Sequence, residues 1–164
     1  MPQCVVEVQA IRAVPDILIT LSELTGLRFI CVAHVTETSW TACAVLDQLG
    51  LGMKPGDPLD VSTTLCEDVR TTGLAIVIDN VDESPTYREH PSLLMHGFKC
   101  YFSLPLIRPC GTYFGTLCGV DVHPTSLSNP TTVRTMRLFA ELISKQLPCA
   151  GEDGSTPPAA QAAA

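Results

Sequence analysis

The chain has 164 residues, enough for one domain with a sizeable core and too few for two comfortable ones. Its net charge is −7 with only ten Lys and Arg, none gathered into a stripe, so neither nucleic acid nor an anionic membrane surface is an expected partner. Hydrophobic residues make up 46%, which predicts a packed domain, yet no apolar run approaches the roughly 20 residues that span a bilayer.

Residues 1–15 read as an N-terminal segment, extended or separately helical over Val5 to Ala13. From Asp16, the spacing of Ile17, Leu18, Leu21, Leu24 and Leu27 predicts an amphipathic helix that starts near Pro15 and ends near Gly26. Arg28 to Val35 and Trp40 to Gln48 flank the polar turn Thr36-Glu37-Thr38-Ser39 and read as a hairpin, followed by a loop over Gly50 to Asp60. Ser62-Thr63-Thr64 opens a second helix through Cys66, Val69 and Thr72, with Glu67 and Asp68 favourably near its start and Gly73 at its end. Leu74 to Ile78 has strand length, and Val81 to Gly97 is a long connection with a short helix around Tyr87 to Met95. After a loop from Thr125, Ser128 or Asn129 caps a final helix with Pro130 in its first turn. That helix puts Val133, Met136, Phe139, Ala140, Ile143 and Leu147 on one side and Arg134, Arg137 and Glu141 on the other. Residues 148–164 turn to Gly, Pro, Ala and acidic residues and read as a disordered tail or linker.

Between these elements lies the most informative stretch, Lys99 to Pro124. Two apolar runs flank the turn cluster Arg108-Pro109-Cys110-Gly111, which predicts a β-hairpin. Gly115 and Gly119 share one face of its second run and leave room for a close neighbour. Because both runs are apolar on both faces, the hairpin belongs in the centre of a sheet.

The run YFSLPL, a short turn with Gly111, then YFGTLCGVD and His123-Pro124 closely resembles the core hairpin of GAF domains. The likeness extends upstream through LCEDVRTTGLAIVIDNVDESPTYREHPSLLMHGFKC and covers Asp16 to Leu147. Within the family, it is most similar to modules in the sensory regions of bacterial histidine kinases. Pattern and resemblance together predict an α+β fold for residues 16–147: a central, mostly antiparallel sheet of five or six strands. The terminal helices should seal one face, and short helices and loops should roof a pocket on the other.

Such a pocket is mostly apolar with a few orienting polar groups. Trp40, Cys66, Tyr87, His90, Phe98, Tyr101, Ser103 and Cys118 are the residues expected there. No metal is expected, since His90 and His96 lack partners at a ligand spacing. Asp79 and Asp121 end strands and read as turn formers rather than as an acid–base pair. The eight cysteines form no CxxC pair and several sit in apolar runs, which fits free thiols in a reducing cytoplasm. The N-terminus also lacks a basic signal-peptide start.

The resemblance implies a sensory module that holds a small ligand, or none, and signals through its last helix to an output kinase domain beyond Leu147. No catalytic residues are expected, and the cofactor stays open. Covalent bilin attachment is disfavoured because Tyr87 to Leu93 contains histidine but no cysteine. Cyclic-nucleotide binding is disfavoured because the asparagine–lysine–phenylalanine triad is absent. A stand-alone redox enzyme like the free methionine-R-sulfoxide reductases, using Cys66, is an alternative. It is weakened because Asp79 to Phe98 carries no further cysteine. A ligand-free dimerisation spacer is another. The apolar width of the terminal helices predicts a homodimer through Asp16–Gly26 and Asn129–Leu147.

Overall fold

The computed structural model describes residues 2–60 and 64–149. Its strands are β1 (Phe29–Val35), β2 (Trp40–Asp47), β3 (Pro58–Leu59), β4 (Ile76–Ile78), β5 (Cys100–Ile107) and β6 (Tyr113–Asp121). They form one sheet in the order β3-β2-β1-β6-β5-β4, and every neighbouring pair is antiparallel. The predicted core hairpin is β5–β6, and it lies inside the sheet as its two apolar faces require. β3 was not anticipated: the loop before Asp60 sends two residues back to pair with Trp40 and Thr41.

Helices α1 (Gln3–Gln9), α2 (Val14–Thr25) and α5 (Pro130–Gln146) cover one face. Val5 and Val8, three residues apart on α1, turn inward together. On α2, Ile17, Leu18 and Leu21 are buried as the spacing predicts, but Leu24 faces outward and is half-exposed. Gly26 ends the helix in the left-handed region, at φ 82°, which costs glycine nothing. On α5, the Asn129 side chain accepts from the N–H of Thr131, while Met136, Ala140 and Ile143 pack onto Phe102, Leu104 and Leu106. Interlocked large side chains of this kind contribute about 1.5–3 kcal/mol each on burial.

The opposite face is roofed by α3 (Cys66–Thr72), a 3₁₀ turn at Val81–Glu83 and α4 (Pro91–His96). The expected helix start at Ser62-Thr63 lies outside the described residues; α3 begins at Cys66 without a side-chain cap. The short helix predicted over Tyr87 to Met95 begins only at Pro91. The cause is local: proline disfavours the α region for the residue before it and cannot donate back to the preceding turn, so a helix starts at Pro91 but cannot run through it. The 148–164 tail lies mostly outside the described residues, and Pro148 accepts a hydrogen bond from Arg108 Nη1.

Candidate functional site

Two rows of facing residues make the floor on the roofed side of the sheet. Phe29, Val120, Tyr101 and Ile78 form one row across β1, β6, β5 and β4. Cys31, Cys118, Ser103 and Ile76 form the next. Alternate residues of a strand share a face, which is why each row is spaced two residues from the other.

Between this floor and the roof is a cavity of about 430 Å³, within the range of small-molecule sites. Phe29, Cys31, Tyr101, Cys118 and Val120 form its base. Leu65 and Cys66 close one side, and Leu93 and His96 of α4 close another with Phe98. The His96 and Phe98 rings stack at 5.3 Å. Trp40 and the segment Leu51 to Met53 complete the wall, which Asp47 holds in place. Its carboxylate accepts from the backbone N–H groups of Leu49, Gly50, Leu51 and Gly52 at 2.8–3.1 Å.

Of the eight residues expected here, Trp40, Cys66, Phe98, Tyr101 and Cys118 line the cavity. Ser103 is fully buried in the floor but covered: the Cys66 sulfur sits 3.8 Å above its hydroxyl. Tyr87 and His90 are not among the lining residues, because the chain before Pro91 turns instead of continuing the helix. Leu93 and His96 take that place, three residues apart on the helix that Pro91 starts. That register was readable from the proline. Phe29 and Val120 were readable as the alternating partners of Cys31 and Cys118.

The Cys31, Cys66 and Cys118 thiols are buried beside one another and beside neighbouring hydroxyls. Cys66 Sγ lies 3.2 Å from Thr116 Oγ1 and 3.4 Å from Tyr101 Oη, while Cys31 and Cys118 face each other at 3.4 Å. The hydrogen bond to Cys118, together with burial, pushes the Cys66 thiol well above its usual range. Burial likewise raises the Tyr101 phenol. Cys31, Cys43, Cys66, Cys100 and Cys118 are buried free thiols. The two strand-ending aspartates are structural. Asp79 accepts from the backbone of Leu127 and Ser128 at 2.8 Å and from the Ser128 hydroxyl at 2.6 Å. Asp121 pairs with Arg28. Among the described residues no three His, Cys, Asp or Glu side chains converge as a metal site, and no helix is long and apolar enough to cross a membrane.

An antiparallel sheet sealed by helices on one side and hollow beneath a roof on the other defines a class of small α+β pocket domains. A family model for the GAF domain matches residues 9–147, and the chain belongs to that family. No curated protein matches it in sequence. Among solved structures, it is similar to the chromophore-binding domain of an unusual bacteriophytochrome from R. palustris, with TM-score 0.65 and 13% identity over 86% of this chain and 57% of that one. A type II free methionine-R-sulfoxide reductase from Thermoplasma acidophilum is similar at TM-score 0.63 and 10% identity, over 84% of this chain and 91% of that one. Residues 122 to 287 of a methyl-accepting chemotaxis protein give TM-score 0.61 and 20% identity, over 88% of this chain and 93% of that one. The chain thus spans little more than half of the bacteriophytochrome domain. At these identities the likenesses establish the fold.

Proposed function

We propose that this chain is a sensory GAF module of a signalling protein, a sensor histidine kinase in the reading the resemblance favours, and that it regulates rather than catalyses. The observation that carries this is the cavity of about 430 Å³, walled mainly by apolar side chains and closed by segments from three separate parts of the chain. A molecule held there gains contacts to sheet and roof at once, so it stabilises one packing of the two. Asp79 offers a route outward. It ends β4, whose Ile76 and Ile78 belong to the core on the cavity side, and it fixes the 127–128 turn that leads into α5. Against a catalytic role for Cys66 stand its burial and its raised pKa, since the thiolate is the nucleophile.

The module acts as a homodimer through α2 and α5. Leu138 and Leu142, four residues apart on α5, are 61% and 47% exposed and turn away from the sheet. Ile19 and Leu24 on α2 are also about half exposed. Native mass spectrometry of freshly purified protein tests the ligand reading. A retained non-covalent small molecule is the expected result, whereas apoprotein that no metabolite pool can load would leave only the spacer.

A further inference from the structure

Two features of the cavity select its ligand. The first is Trp40, which lines the cavity, is 3% exposed, and has an indole Nε1 with no hydrogen-bond partner among the described residues. A buried N–H left unpaired costs roughly 1–3 kcal/mol, and a ligand acceptor recovers that cost. The second is charge. Among the described residues the lining contains no Lys or Arg, and its ionisable residues include Asp57 and His96. An anion placed there would lose its hydration with no permanently charged cation beside it, and His96 is the one described lining side chain that could offset the loss. The rings of Phe29, Tyr101, Phe98 and Trp40 supply flat apolar walls instead.

We propose that the cavity takes an uncharged, flat, apolar molecule with a carbonyl-type acceptor, which receives the Nε1–H of Trp40. This rests on the sensory reading and adds the chemical class of the ligand. It disfavours cyclic nucleotides, carboxylates and other anions, because no Lys or Arg stands among the described lining residues to neutralise them.

Trp40 is the sole tryptophan, so the chain has one indole N–H resonance and it reports on this site alone. Three probes are titrated into the purified chain and followed by that resonance: 1-tetralone, tetralin, which lacks the carbonyl, and 1-naphthoate, which is anionic. The expected result is a downfield shift of the indole proton with 1-tetralone only, and affinity at least tenfold above that of tetralin and of 1-naphthoate. In Trp40→Phe, followed by calorimetry, tetralone should lose its advantage, so that tetralone and tetralin bind alike. Equal binding of tetralone and tetralin to the unaltered chain overturns the role of Trp40. Binding of 1-naphthoate as tight as that of tetralone overturns the charge argument. A retained anion in native mass spectrometry, with no response to the neutral probes, overturns the ligand class but leaves the sensory reading standing.

Discussion

Arg28 grips both oxygens of Asp121, with Nε 3.0 Å from Oδ2 and Nη2 2.7 Å from Oδ1, and so joins the start of β1 to the end of β6. The backbone N–H groups of Arg28 and Val122 add two more bonds to the same carboxylate. Burial pushes the Asp121 carboxyl up, but these hydrogen bonds outweigh it and leave the group below its ordinary value. A depressed folded-state pKa stabilises the protein above the unfolded value and is lost as pH falls through the folded one, here below about pH 4. Asp121→Asn should cost about 2 kcal/mol at neutral pH and flatten this part of the acid-stability curve. Urea melts of both proteins at several pH values check it, and parallel curves would contradict it.

The two glycines of β6 should respond differently to a single methyl group. At Gly119 an added Cβ would overlap the edge of the Phe102 ring, a side chain that can tilt, so Gly119→Ala should cost about 1–3 kcal/mol. At Gly115 it would overlap the backbone carbonyl of Ala33 on the neighbouring strand, which cannot move without breaking the β1–β6 ladder. Gly115→Ala should therefore lose far more, up to failure to fold. Thermal midpoints of the two variants decide, and equal losses would contradict the argument.

The hairpin, the five elements around it (β1, β2, α3, β4 and α4) and both terminal helices were legible because each rests on a short-range pattern: alternation in strands, three- and four-residue spacing in helices, and Gly111 in the turn. Five cavity residues were legible for the same reason, as they lie on those regular elements. What escaped depends on long-range closure. Two residues, Pro58 and Leu59, become a strand only because Trp40 and Thr41 lie opposite them. The wall at Leu51 to Met53 exists because one carboxylate, Asp47, gathers four N–H groups, and its strand-end position looks like any turn aspartate. Tyr87 and His90 were misplaced for a local reason, the effect of Pro91 on the residue before it, which could have been read.

Asp47 gives a prediction that separates wall from floor. Burial raises its carboxyl, but the bonds from Leu51, Gly52, Gly50 and Leu49 outweigh that and the net shift is downward. Asp47→Ala frees those four N–H groups, so amide exchange over 49–52 should accelerate while exchange in β1 and β6 stays slow. Retention of any bound molecule should fall with it. Hydrogen-exchange mass spectrometry reads both regions in one experiment, and unchanged exchange at the wall would refute the role.

Asp79 should behave as a joint between the roofed face and α5. Asp79→Ala removes the acceptors for Leu127, Ser128 and the Ser128 hydroxyl, so the entry to α5 should exchange faster and the thermal midpoint should drop. Ligand retention should persist, because Asp79 does not line the cavity. Loss of retention together with the faster exchange would mean the turn supports the pocket itself and transmits nothing.

The last prediction concerns assembly. Leu138 and Leu142 form an apolar pair on the outer side of α5, where helical spacing places them beside each other. An isolated exposed leucine is ordinary, but a pair at this spacing, with half-exposed Ile19 and Leu24 on α2, provides a seam that a second copy can cover by helix packing. Replacing both with glutamate leaves the buried side, Met136, Ala140 and Ile143, untouched, so the fold should survive. The unaltered chain should scatter light as a dimer at high concentration, and Leu138→Glu with Leu142→Glu as a monomer with an unchanged far-ultraviolet spectrum. A monomeric unaltered chain would remove the dimer from the proposed mechanism, and signalling would then have to pass through α5 within one copy.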